Sequence, residues 1–162
     1  MNQPHLDPPE WYASLPTVYA SAVVLFTDGS DRVLLVKPNY RPHWSLPGGV
    51  VEDGEAPHEC AVREVAEELG LSIEVGDLLV VDWVPPGGDR PRSMANYLFD
   101  GGEISDLGAV RLQAEELEQA EFVAWEDAVA RLPANTRRRI PAARAARRDG
   151  RTVYLPGTPE IG

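Results

Sequence analysis

The sequence predicts a single mixed α/β domain, and three observations predict it. Apolar, β-branched runs of strand length recur along the chain with turn residues between them. A helical stretch opened by a proline and closed by a glycine stands among those runs. The chain has 162 residues, enough to bury one sizeable core and too few for a second catalytic domain.

Met1–Glu10 is polar and proline-rich, and 1–16 reads as a flexible tail. Thr17–Phe26 and Arg32–Lys37 then read as neighbouring strands, with Asp28-Gly29-Ser30-Asp31 supplying the turn. Ser45–Gly49 is a short extended piece leading into a glycine-punctuated loop that reaches Gly54. A helix follows from Pro57 to Leu69. Proline suits the first helical position, where its missing N–H is no loss, and Gly70 suits the stop; Ala56 is a weak N-cap. Ile73–Val84 and Ser93–Asp100 read as strands separated by Pro85-Pro86-Gly87-Gly88-Asp89-Arg90-Pro91, a loop that cannot be regular and is a candidate binding element. Glu121–Trp125 reads as another strand, Glu126–Leu132 and Asn135–Arg148 as helices, the second complicated by Pro141. Arg151–Leu155 adds an edge strand, and 156–162 is a second tail.

Acidic residues number 26 against 15 basic ones, giving a net charge of −11 that disfavours general nucleic-acid binding. The sign reverses along the chain. Residues 1–130 hold 24 acidic and 7 basic side chains, whereas 131–151 hold eight arginines and one aspartate. A helix face that offsets the field of an acidic body is one reading of the basic segment, and phosphate contact the other. Cys60 is the sole cysteine, so no intrachain disulfide forms, and no apolar run is long enough to span a membrane. A cytoplasmic setting is expected.

Drawn on a wheel at about 100° per residue, the Pro57–Leu69 helix divides into two faces. Glu64, Glu67 and Glu68 share one, and Val62, Val65, Ala66 and Leu69 the other. Acidic side chains three and four apart repel, and a helix shaped for stability alone would place lysine or arginine among them. The cluster therefore asks for a cation. Hard carboxylate ligands without paired histidines or cysteines favour Mg²⁺ or Mn²⁺ over zinc, and divalent-metal phosphate chemistry follows.

From Gly49 to Leu71 the chain reads GVVEDGEAPHECAVREVAEELGL, and this resembles the signature of the Nudix hydrolases, G-x5-E-x7-R-E-U-x-E-E-x-G-U with U a bulky aliphatic. Gly49, Glu55, Arg63, Glu64, Val65, Glu67, Glu68, Gly70 and Leu71 fill its nine fixed places. The lead-in Trp44-Ser45-Leu46-Pro47-Gly48 is similar to that of the family as well. The resemblance implies an α/β/α sandwich with a central mixed sheet over 17–155. It implies hydrolysis of a nucleoside diphosphate linked to another group, by water attack on phosphorus with Mg²⁺ or Mn²⁺. Carried over by position, it makes Glu64, Glu67 and Glu68 catalytic metal ligands with the Gly48 carbonyl as a further ligand, and Glu55, Arg63 and Gly49 positioning residues. An acidic residue outside the signature often serves such enzymes as ligand or base. Glu115, Glu116 and Glu118 are candidates, Glu116 first and Glu115 next, on a segment that Gly101, Gly102 and Gly108 would let move over substrate.

Other residues carry two readings each. Arg90 and Arg92 could contact phosphate or be solvated, and Trp44, Trp83 and Tyr40 could stack on a base or belong to the core. Cys60 reads as a core filler, His43 and His58 as exposed, His5 as part of the tail, and Arg137-Arg138-Arg139 as a solvated face. Pro86 lies 15 positions after Leu71, a spacing that resembles a marker of ADP-ribose pyrophosphatases. The preferred expectation is an ADP-ribose-like nucleotide-sugar as substrate. The alternatives are a nucleoside triphosphate, a dinucleoside polyphosphate, a capped RNA end, or a sensor that binds without cleaving. The expected partner is a small nucleotide rather than nucleic acid or membrane, with a homodimer left open.

Overall fold

Tyr19–Thr27 (β1) organises the molecule, because its alternate side chains feed two separate cores. In the computed structural model, which describes residues 6–157, Ala22, Val24 and Phe26 are buried on one face of the sheet and Val23 and Leu25 pack on the other. A strand apolar in both phases of its period-two repeat is one covered on both sides. Val33–Pro38 (β2), Gly48–Val50 (β3), Leu78–Val84 (β4), Met94–Glu103 (β5), Leu117–Val123 (β6) and Val153–Leu155 (β7) complete the sheet. Its order is β6-β2-β1-β5-β4-β7, with β3 pairing β1. β1–β5 and β4–β7 are parallel and the remaining pairs antiparallel. One edge of β1 is shared. β2 joins it at Thr27 and β3 at Ser21–Val23, which brings the glycine-rich loop to the N-terminal half of β1.

The helix Pro57–Leu69, numbered α2 after a short N-terminal α1 at Pro8–Ser14, covers the first face with Cys60, Ala61, Val65 and Leu69. Trp125–Arg131 (α3) and Arg139–Asp149 (α4) cover the second with Trp125, Ala128, Ile140, Ala143 and Ala146. The expected α/β/α sandwich with a mixed central sheet is the observed architecture. No described helix is long and apolar enough to cross a membrane.

Several expectations need correction. The stretch read as a flexible tail contains α1, started by Asp7, whose carboxylate accepts the Glu10 N–H at 3.0 Å, although α1 buries none of its residues. Residues 1–5 and 158–162 of the two expected tails, His5 included, lie outside the described residues. The strand expected over Ile73–Val84 begins at Leu78. Leu71, Ile73 and Val75 alternate as a strand would and pack against the α2-side core, yet they join no ladder. The acidic run overlaps β6, so Glu118 and Glu121 lie on a strand, and Trp125 opens α3 instead of ending a strand. Residues 135–138 form turns, and α4 starts at Arg139, which puts Pro141 in its first turn, where a missing N–H leaves no hydrogen bond unmade.

Candidate active site

The signature helix has the start and stop that its sequence predicts, and Glu59 adds a hold at the start. Ala56 offers no side-chain cap, but the Glu59 carboxylate reaches back to the Ala56 N–H at 2.8 Å. Gly70 ends the helix in the left-handed region at φ +66°, its N–H donating to the Ala66 carbonyl at 3.1 Å.

Arg63 is the hub of the polar face. Its Nε and Nη2 donate to the two Glu55 oxygens at 2.7 and 3.0 Å, a two-pronged pairing, and Nη1 reaches Glu64 at 3.0 Å and Glu67 at 3.2 Å. Nη2 also donates to the Val50 carbonyl at 3.2 Å, which ties helix to loop. The Arg63 guanidinium, with the Glu52 N–H, holds the Glu55 carboxyl down at about 2. Arg63 is in turn pushed above its ordinary range, first by Glu55 and then by Glu64.

Glu68 behaves differently. Only 7% exposed, it accepts the Gly48 N–H at 2.9 Å, and burial, reinforced by Glu64, Glu116 and Glu67, pushes its carboxyl up to about 8. Burial raises Glu64 as well, with Glu67 and Glu116 adding to it against the pull of Arg63. The glycines fit around these carboxylates. A Cβ on Gly49 would lie 2.2 Å from a Glu64 oxygen, and one on Gly48, whose φ is +141°, would lie 2.2 Å from the Ala22 carbonyl oxygen. Gly48 meets the helix through its N–H.

These residues fit a divalent cation by the chemistry of the donor set: oxygen donors alone, one of them a carboxyl that burial and then the neighbouring glutamates push up to about 8. Among the described residues no three such groups are already gathered around one point. Glu64 and Glu67 are turned to Arg63, which serves as their counter-ion, and Glu68 to Gly48.

Among the described acidic residues outside the signature, Glu116 stands close enough to raise the carboxyls of both Glu64 and Glu68. The segment before it docks on the end of α2: the Arg111 N–H donates to the Leu69 carbonyl at 2.8 Å and the Gln113 N–H to that of Glu68 at 3.0 Å. Asn39 fixes the far side, its amide nitrogen donating to the Glu115 carbonyl at 2.8 Å and its N–H to that of Glu116 at 2.9 Å. Glu118 lies 3.5 Å from Lys37. The expected hinge is not one at Gly101, where a Cβ would stand 2.4 Å from the Phe26 ring; packing in β5 demands that glycine.

The remaining candidates separate. Trp44 is half-buried against the α3/α4-side core with the Arg131 guanidinium 5.3 Å over its ring, which makes it a packing residue. Arg92 is exposed and donates to Thr17 at 2.6 Å. Arg90 folds back onto the Pro85 carbonyl of its own loop. Trp83 is half-buried and Tyr40 exposed beside Arg41. Cys60 fills the core, its thiol pushed up to about 11 by burial, while His43 and His58 are exposed. Arg138 and Arg139 do not form the expected solvated face, because both bind Asp82 on β4, which is fully buried. Ser21 donates to Asn96, whose amide donates to the Asp82 carbonyl at 3.2 Å. This polar row escaped the sequence reading. Its one signal is an aspartate amid the apolar run Val80-Val81-Asp82-Trp83-Val84.

A NUDIX domain profile matches residues 17–144. The chain is 46% identical over 85 residues to a Bacillus subtilis protein described as "Putative 8-oxo-dGTP diphosphatase", covering 52% of this chain and 57% of that one. It is 35% identical over 150 residues to a Mycobacterium tuberculosis protein described as "Putative 8-oxo-dGTP diphosphatase 3", covering 83% of this chain and 67% of that one. Several other curated relatives are matched over only 24% to 59% of their own length. Among solved structures, the MutT protein of Methanosarcina mazei superposes with a TM-score of 0.68 at 25% identity, covering 83% of this chain and 99% of that one. With its signature helix, its sandwich and a domain match over most of its length in agreement, the chain belongs to the NUDIX family.

Proposed function

We propose that the protein is a divalent-metal-dependent pyrophosphohydrolase that cleaves the anhydride of a nucleoside diphosphate linked to a further group. The observation that carries this is the burial of Glu68 on a helix face it shares with Glu64 and Glu67, which pushes its carboxyl up to about 8. A pure binding module has no use for a buried carboxyl placed beside two further glutamates, and a cation makes them compatible. Glu64, Glu67 and Glu68 would hold Mg²⁺ or Mn²⁺, with the Gly48 carbonyl as a further donor. When bound, the cation neutralises diphosphate oxygens and stabilises the charge of the transition state.

The chain's own residues do the rest. Arg63, gripped by Glu55, fixes the orientation of Glu64 and Glu67 and ties them to the β3 loop. Gly49 leaves room for the Glu64 carboxylate. Glu116 takes the proton of the attacking water on a carboxylate oxygen, since a carboxylate that binds a cation is the poorer proton acceptor. Glu115 is the weaker choice.

For the further group, the two diphosphatase relatives support a nucleoside triphosphate over the ADP-ribose-like substrate that Pro86 suggested. Pro86 is an exposed residue of an irregular loop. The decisive experiment assays normal and oxidised nucleoside triphosphates, ADP-ribose and dinucleoside polyphosphates with Mg²⁺ or Mn²⁺, with product analysis. Metal-dependent cleavage of an anhydride is expected, with a higher kcat/KM on a triphosphate than on ADP-ribose. Glu116→Gln should lower kcat by roughly 10²–10⁴-fold with metal still bound. Failure to cleave any of these compounds would overturn the enzyme reading, and unchanged turnover in Glu116→Gln would return the base to α2.

A further inference from the structure

A cavity of about 580 Å³ opens beyond the end of β4, lined by Pro85, Gly87 and Arg90 of the β4–β5 loop and by Asn135 and Arg138 ahead of α4. Three features give it one electrostatic sign. Arg138 is the N-cap of the eleven-residue α4 and no side chain caps that end, so the positive pole of the helix is directed here. Among the described residues, Arg138 and Arg139 share the single carboxylate of Asp82, which leaves a positive excess that Arg90 increases; Asp89, on the same loop, is exposed. The Nε atoms of Arg90 and Arg138 are buried and find no acceptor among the described residues. A positive recess lined by two guanidiniums in a chain of net charge −11 suits an anion rich in acceptor oxygens, and guanidinium forks match phosphate.

The cavity is separate from the glutamates. Val50, Ser21, Asn96 and Asp82 stand in register across β3, β1, β5 and β4, three strand spacings or about 14 Å. Val50 binds Arg63 of the glutamate cluster and Asp82 binds Arg138 of the cavity, so a span of this order separates the two anchors, longer than one diphosphate and within the length of a dinucleotide.

We propose that this cavity is an anion subsite in which Arg90 and Arg138 hold a phosphomonoester at the far end of a nucleotide whose anhydride lies at Glu64–Glu68. The assignment rests on the hydrolytic reading of the helix glutamates. Asp82 acts through Arg138 as a positioning residue.

The test uses pairs that differ by one remote phosphate: NADP⁺ against NAD⁺, and ADP-ribose 2′-phosphate against ADP-ribose. The wild-type protein is expected to favour the phosphorylated member by about tenfold in kcat/KM, expressed mainly in KM, and Arg90→Gln and Arg138→Gln each to bring the ratio towards one. Thermal shift with 2′-AMP, adenosine and inorganic phosphate reads the subsite without turnover. 2′-AMP should stabilise the wild type more than either adenosine or phosphate, and the variants should lose that difference. No preference in the wild type, or one that survives in both variants, overturns the subsite. Inorganic phosphate acting as strongly as 2′-AMP overturns it in favour of a free-anion site. Should no nucleotide be cleaved, the hydrolytic reading fails by itself, and the 2′-AMP shifts still decide whether the cavity binds a phosphomonoester.

Discussion

At the scale of single residues, Glu68 and Glu55 titrate in opposite directions, and the contrast shows what each does. Below about pH 4.5 Glu68 is protonated in both the folded and the unfolded chain. Between that pH and about 8 the unfolded chain gives up the proton while the folded protein retains it, so this group's contribution to stability falls as pH rises through the window. Metal-free protein should therefore lose Tm between pH 5 and pH 8 by more than Glu68→Gln does, and Mg²⁺ should restore the wild type at pH 8. Glu68→Gln should also lose most turnover. Parallel pH profiles for the two metal-free proteins would refute the burial argument. Glu55 runs the other way. Its folded value near 2 lies below the ordinary 4.5, so what Arg63 contributes through it is complete above pH 4.5 and disappears as pH falls through 2. Acid unfolding followed by circular dichroism should show that loss in the wild type and a flatter limb in Glu55→Gln.

At the scale of elements, α2 was legible from sequence to the residue because its boundary signals are local: Pro57 at the start and Gly70 in the left-handed stop. Segments whose fate depends on partners were not. Residues 71–75 alternate like a strand but join no ladder, and Arg138-Arg139 reads as a solvated run until Asp82 is brought beneath it from 56 and 57 residues away. The paired glycines of β3 look equivalent in sequence and differ in structure. Gly48 combines φ +141° with backbone atoms where its Cβ would stand, so Gly48→Ala should destabilise the fold by about 2–3 kcal/mol, read by urea unfolding. At Gly49 the obstacle is the Glu64 carboxylate, a side chain that can move, so Gly49→Ala should unfold near the wild-type midpoint while turnover drops by roughly a hundredfold. Equal stability losses in the two variants would contradict this division.

At the scale of the whole molecule, the charge asymmetry of the sequence becomes an internal pairing. Among the described residues, six of the eight arginines in 131–151 form ion pairs, and all but Arg148 draw their partner from the acidic first 130 residues. The pairs are not equal. Arg148–Asp149 joins neighbours on an exposed helix end, where screening leaves little net gain. Asp82 has no exposed surface, and Arg139 beside it is only 9% exposed, so neither charge has water as an alternative. Removing that carboxylate leaves two guanidiniums, one of them buried, without their counter-ion, and breaking such a pair costs about 3–5 kcal/mol. Asp82→Asn keeps the shape and removes only the charge. It should lower the urea midpoint sharply with little change in m, whereas Asp149→Asn should leave the midpoint where it is. The effect of Asp82→Asn should also persist in high salt, because a buried pair is poorly screened. A midpoint for Asp82→Asn indistinguishable from that of Asp149→Asn would mean that Arg138 and Arg139 reach solvent without Asp82, and that the positive recess beyond β4 is not held in place by this carboxylate.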